Sequence, residues 1–276
     1  MRITIDNIEN YMNLFDGKRI NFGNPSFAHP IFVAMLQAYQ KDKGIKAIIG
    51  NGYIKKMLSN QYTKDKTYSP IEHVVSRNGL ERISSHLANI MLQNFITLQE
   101  LDKKDLRNYL QYLFLELMNN VSDHSESPIG GYVMAQYFST MKKIQFVVAD
   151  RGIGFLENIK LKFTDVTDEL EAIKKALLKG VTSTKPKMYG HERNAGYGLY
   201  AMFEILRMTG GRFVIISNDT LIRYHDENYT IKKLSTPWKG VVVAFEFDQS
   251  FIAHDIDEFK RMYLWNEVLE EDEDFF

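Results

Sequence analysis

The run Ile144-Gln145-Phe146-Val147-Val148-Ala149 leads straight into Asp150-Arg151-Gly152-Ile153-Gly154. An aspartate ending a buried strand, followed by two glycines one residue apart, suits a flat polar ligand. The Asp150 carboxylate can accept a hydrogen bond from an exocyclic amine, and Gly152 and Gly154 remove the Cβ atoms from the approach. Asp-x-Gly-x-Gly also marks ordinary strand-to-turn connections, so its meaning depends on what flanks it.

Upstream stands Glu116-Leu-Met-Asn-Asn-Val-Ser-Asp-His124. Leu106, Tyr109, Leu110, Leu113, Phe114 and Leu117 recur at helical spacing. On that helix Glu116 and Asn120 are four apart and share a face, with Asp123 one step further along. An amide oxygen one turn from a carboxylate can hold a hydrated Mg²⁺ and polarise a water. Mg²⁺ takes few protein ligands and draws the rest from water and phosphate. The same spacing also describes a helix with a solvated polar face.

Downstream come Gly180-Val-Thr182-Ser183-Thr-Lys185 and Gly190-His191-Glu-Arg193-Asn-Ala-Gly196-Tyr-Gly198-Leu199. A helix is predicted through Tyr200, Met202, Phe203, Ile205 and Leu206, ending at Gly210-Gly211. Glycines before a helix present unpaired N–H groups and the positive end of its dipole to an anion. Lys185, Lys187, His191 and Arg193 add charge or donors at the same point. An ordinary glycine-rich cap would not require that convergence.

In order, the chain reads Glu-x-x-x-Asn on a helix, Asp-x-Gly-x-Gly after a strand, a variable lid, and Gly-x-Gly-Leu opening a helix. That order resembles the N box and the two glycine boxes of the GHKL superfamily, which includes gyrase-type topoisomerases, heat-shock chaperones, MutL-type repair proteins and sensor histidine kinases. The resemblance covers roughly Leu101 to Phe247. The details are most similar to prokaryotic stand-alone ATP-binding proteins with a STAS-like N-terminal segment. The stretches that carry this are Glu116 to Ser125, Gly131 to Tyr137, Ala176 to Thr182 and Gly210 to Ser217.

The resemblance implies ATP and Mg²⁺ as cofactors. Asp150 would bind the adenine amino group, Asn120 would coordinate Mg²⁺, and Glu116 takes the general-base position. Gly152 and Gly154 would start the lid close to the nucleotide. Gly196 and Gly198, with Lys185 and Arg193, would cradle the β- and γ-phosphates, and Asp123 and Leu199 complete the nucleotide-binding set. The chain departs from the pattern at Lys239-Gly-Val241-Val-Val-Ala-Phe245, where a late-strand Gly-Thr hydroxyl is missing. Thr182, Ser183 and Ser217 are candidates to replace it. The lid also carries a charged amphipathic segment, Asp165 to Lys179, read as a helix.

The implied fold is an α/β (α+β) two-layer sandwich of the Bergerat type. A mixed, largely antiparallel sheet (around Tyr132–Gln136, Ile144–Ala149, Arg212–Ser217 and Val241–Phe247) would carry helices on one face. A small βαβα STAS-like module would precede it. In that module Arg19–Phe22 and Lys46–Gly50 read as strands, and Pro30–Tyr39 and Ile54–Leu58 as helices, the first with proline in its opening turn. The chain divides into the module (1–65), a linker and helix (66–100), the ATP-binding domain (101–250), and a C-terminal helix and acidic tail (251–276). Asn60 to Pro70 reads as a polar linker and 71–100 as a helix with Ile83, Leu87, Ile90, Met91 and Phe95 on one face. That helix would pack on the domain or pair with a second copy as a homodimer.

Composition narrows the class. The 276 residues are 45% hydrophobic and 25% charged, ordinary for a globular fold. With no cysteine, disulfides, thiolate metal sites and cysteine nucleophiles are excluded. A net charge of −1 gives no electrostatic case for nucleic acid. No apolar run has the length of a membrane span and Met1-Arg2-Ile3-Thr4 lacks a signal-peptide core, so a soluble cytoplasmic protein is expected.

Two activities compete. In one, the protein is a switch that binds Mg-ATP, hydrolyses it slowly and changes its contacts with a protein partner. In the other, Glu116 activates a partner's Ser or Thr hydroxyl, as in kinases of the anti-sigma-factor type. A nucleotide-binding module without turnover is a third reading. His73 and His86 lack the following acid of a phosphoacceptor histidine.

Overall fold

The computed structural model describes residues 2–17, 25–46, 52–59, 67–92, 100–178, 181 and 198–248. The chain begins with β1 (Arg2–Ile3), a 3-10 helix (Ile8–Phe15), β2 (Phe27–Ala28), α1 (Pro30–Lys43) and α2 (Gly52–Leu58). It continues through β3 (Glu72–Val74), α3 (Leu80–Leu92), α4 (Glu100–His124), β4 (Gly131–Phe138) and β5 (Lys143–Asp150). The last elements are α5 (Gly154–Lys160), α6 (Glu169–Ala176), α7 (Gly198–Met208), β6 (Arg212–His225) and β7 (Asn228–Asp248). The architecture is α+β around a five-stranded sheet in the order β3-β4-β5-β7-β6. Every ladder of that sheet is antiparallel, which corrects the mixed sheet expected from sequence.

Alternation along the strands decides the layers. On β5, Ile144, Phe146 and Val148 join one apolar cluster, and Val147 and Ala149 join a second. Successive strand side chains point to opposite faces, so both faces of the sheet are apolar. Helices α3, α4 and α7 cover the first face. The 3-10 helix, α1 and α2 cover the second. The two-layer arrangement with helices on one face is therefore corrected to helical segments on both faces. The apolar run Phe146–Ala149 of β5 carried that signal, because a strand buried on both sides shows little polar alternation. Buried apolar residues between Ile3 and Met57 share this second core with the sheet.

Helix α4 forms because Leu106, Leu110, Leu113, Phe114, Leu117, Met118 and Val121 fall on one buried stripe. Phe114 stacks on Phe146 of β5 with ring centroids 4.4 Å apart. With that stripe fixed against the sheet, the register of Glu116 and Asn120 is fixed too.

Residues 71–100 do not form one helix. Glu72–Val74 pairs with β4, and α3 starts only at Leu80 after a turn that ends at Gly79 (φ 85°). The end of the expected linker also joins the sheet. Tyr68 bridges to Gln136, and Ser69 exchanges hydrogen bonds with the Ala135 backbone. The strand expected at Arg19–Phe22, all but Lys46 of the one at Lys46–Gly50, Phe95, and the C-terminal helix and acidic tail lie outside the described residues. The helices expected at Pro30–Tyr39 and Ile54–Leu58 correspond to α1 and α2.

The sequence reading also stops short of the long β6–β7 hairpin. Its ladder continues to His225↔Asn228, closed by Asp226 and Glu227 at φ 50° and 61°. Two left-handed residues in a two-residue loop match the twist of a hairpin, though no glycine announces it. Removing the central stack should be costly: Phe114→Ala is expected to lose ~3–5 kcal/mol in urea unfolding. A loss under ~1 kcal/mol would show that α4 is anchored elsewhere.

Candidate functional site

A cavity of about 110 Å³ opens between α4, the end of β5, α5, the start of α7 and β7. Leu117, Val121, Val148, Phe155, Val241 and Val243 give it apolar walls, and Glu116, Asn120, His124, Asn158 and Asp150 place polar groups at its margins. An apolar slot with a few convergent polar atoms fits a flat, partly polar ligand.

Asp150 is buried at the end of β5. Its Oδ1 accepts the Gly152 N–H at 2.8 Å and the Val241 N–H at 3.3 Å. Both backbone donors fall on Oδ1, and among the described residues none donates to Oδ2. Burial pushes the carboxyl up from 3.8 to about 7, while the two backbone donors and Arg151 oppose the rise. On the facing wall, burial also lifts Glu116 above the usual carboxylate range, with Arg77 opposing and Asp123 adding to the lift. Burial lowers His124 below the usual imidazole value, which favours its neutral form.

Glu116, Asn120, Asp150, Gly154, Gly198 and Leu199, six of the residues singled out from sequence, meet in this cavity. Asp123 does not line it. Arg77 grips Asp123 through two contacts, Nε to Oδ1 at 2.8 Å and Nη2 to Oδ2. Gly152 does not line it either, and its reason for being glycine is internal. A Cβ there would run into the Ser125 carbonyl. Gly154 has φ +86° and lies against the Asn218 amide. A Cβ at either glycine would meet the turn's own neighbours, and Gly154 also lines the cavity. Thr182, Lys185, Arg193 and Gly196 lie outside the described residues, as do Lys187, His191 and Ser183.

Val241 occupies the position of the missing late-strand hydroxyl, where its N–H serves Asp150. Ser217 Oγ donates to the Glu169 carboxylate and accepts the Phe155 N–H at 3.0 Å. Sequence reasoning also missed Glu169. It is buried at the first turn of α6 and accepts from the N–H groups of Phe155 and Leu156 and from the Asn218 amide. A carboxylate capping the start of α5 is invisible to local pattern, since its partners are 13 to 49 residues away. A register shift of β6 at Ser217 and Asn218 aims the Asn218 side chain into this cluster.

Among the described residues, no group of three or more His, Asp or Glu side chains could hold a metal ion. The donor set on α4, one amide and one carboxylate, fits a hard cation that takes most of its ligands from phosphate and water. Among the described residues, no helix is long and apolar enough to cross a membrane. No protein-family model matches the chain, and no curated protein matches it.

The buried carboxyl makes stability pH-dependent. Between about pH 4 and 7 the folded chain keeps a proton on Asp150 that the unfolded chain has released. The contribution of this group therefore falls as pH rises through that window, by roughly 4 kcal/mol at ~1.36 kcal/mol per pH unit. Asp150→Asn lacks the titration, so its stability relative to wild type should rise from pH 5 to pH 8 in urea unfolding. A parallel pH dependence in the two proteins would show that Asp150 is solvated.

Proposed function

We propose that this chain is an ATP-binding protein of the GHKL type, with a Bergerat-type domain, that binds Mg-ATP, hydrolyses it slowly and switches its contacts with a protein partner. The observation that carries this reading is one cavity lined by Asp150 on one side and by Glu116 and Asn120 on the other. The resemblance assigned those two segments to the base and to the metal-bound phosphates.

Asp150 accepts the adenine amino group on Oδ2 while backbone donors hold Oδ1 in place. The apolar walls, Val148, Val241 and Val243 among them, exclude water from the ring. Gly198 and Leu199 bring the first described turn of α7 to the cavity, and a helix N-terminus at that point would favour phosphate. Gly198 sits against Glu116 so closely that a Cβ would lie 2.6 Å from the Glu116 Cβ. That contact puts the phosphate-facing helix end and the carboxylate at one place. Glu116, made more basic by burial, accepts a proton from the water positioned for attack. Mg²⁺, when bound, would neutralise charge on the phosphates, and Asn120 would hold it. Residues 1–65 would act as a STAS-like, partner-facing segment.

The test is ATP binding with and without Mg²⁺, with phosphate release followed in the same samples. Glu116→Gln should bind ATP within about threefold of wild type and lose turnover by roughly 10²-fold or more. Equal turnover in that variant would remove Glu116 from the chemistry. Asn120→Ala should weaken binding in Mg²⁺ by about tenfold and leave the metal-free affinity nearly unchanged. The same loss with and without metal would exclude Asn120 as a ligand. Asp150→Asn should abolish binding at any magnesium concentration.

A further inference from the structure

Arg151 follows Asp150 directly, yet its side chain lies on the opposite side of the sheet and does not line the cavity. It is 4% exposed. Its guanidinium carbon sits 4.4 Å from the ring centroid of Trp238 and 5.2 Å from that of Tyr39. Nε donates to Asp42 Oδ2 at 3.2 Å. Tyr39 and Asp42 belong to α1, and Trp238 to β7. Trp238 in turn donates its indole N–H to the Asp150 carbonyl at 2.9 Å. Gly240, at φ +106°, lies so close that a Cβ would come within 2.7 Å of both Asp150 O and Asp150 Oδ1. The backbone of Asp150 is thus held from behind by groups that α1 and β7 clamp together.

Stability alone does not explain an arginine here. Its Nη1 is buried with no hydrogen-bond partner among the described residues. Burying a cation, even a paired one, often costs more than burying an apolar side chain of similar size. The guanidinium does supply what an apolar group cannot: a directional link from α1 to the residue that meets the ligand.

We propose that Arg151 is a positioning residue, and that Asp42, Arg151 and Trp238 form a strut that sets the Asp150 carboxylate and couples helix α1 to occupancy of the cavity. This rests on the reading of the cavity as a nucleotide site. Coupling of this kind is reciprocal, so whatever moves α1 would change nucleotide affinity, and nucleotide would change how firmly α1 is docked.

Trp238 is one of two tryptophans, and Trp265→Phe leaves it as the sole indole reporter on the strut. In that background, Mg-ATP titration of the full chain should change Trp238 fluorescence saturably. Asp42→Asn and Arg151→Gln should each weaken ATP by about tenfold, and the double variant should be no weaker than the worse single, because both break one chain of contacts. Arg151→Lys should recover part of the affinity. Urea unfolding without nucleotide separates loss of affinity from loss of fold. The pH profile gives a readout that simple loosening would not move. Arg151 favours the charged form of Asp150, so Arg151→Gln should shift half-maximal binding to higher pH. Glu116 and His124 in the cavity and Asp42 behind it are unchanged in that variant. Unchanged affinity in both singles, strictly additive losses, or losses that only track unfolding would overturn the strut. Absence of any ATP response in the wild-type background would overturn the nucleotide reading itself, and the strut with it.

Discussion

A carboxylate taken out of water must be met by donors, and at Asp150 those donors come from separate parts of the chain. Gly152 supplies one N–H from the turn that follows, and Val241 supplies another from β7. Trp238 holds the carbonyl of the same residue. The turn that brings Gly152 round tolerates no Cβ, because Ser125, just past the end of α4, is already there. The end of β5, the C-terminal end of α4 and the middle of β7 are therefore mutually dependent. The two cavity walls, one carrying Asp150 and the other Glu116 and Asn120, inherit their spacing from that arrangement.

A second buried carboxylate fixes the far end of the same turn. Glu169 gathers the first N–H groups of α5, the Ser217 hydroxyl and the Asn218 amide. One charge neutralises the start of a short helix and ties α6 to β6. Phe155, which lines the cavity, is held by its backbone at this point. Charge-assisted bonds of this type are stronger than neutral ones, and losing one member leaves the others unsatisfied. The site is thus built on two buried acids with different surroundings: among the described residues Asp150 is met on one oxygen only, and Glu169 is met on both.

The second apolar face of the sheet gives the N-terminal residues their place. Val147, Ala149, Val214, Ile216, Val242 and Ala244 would face water without α1 and the 3-10 helix over them. Burying them ties α1 to the strand that ends in Asp150, and Arg151 passes through that interface. An ion cluster at the other end of the strand, where Glu246 meets Arg212, Lys143 and Gln145, joins the same layers.

Local pattern was enough for much of this. The 3-4 spacing from Leu106 to Leu117 gave α4 and the face that carries Glu116 and Asn120, and the apolar run before Asp150 gave β5 and its terminal acid. Those features depend on neighbours a few residues apart, and helical or strand periodicity records them directly. The partners of the buried groups are not so recorded. That Ser217 answers to Glu169, that Asp123 is taken by Arg77, that Gly152 is dictated by Ser125 and that Arg151 reaches Asp42 each depend on contacts between 27 and 109 residues apart. Such pairings leave no period in the chain, because either residue alone looks like an ordinary polar side chain or turn glycine. The acids and amides that line the cavity were legible in the sequence; which polar groups are taken up by distant partners was decided by packing.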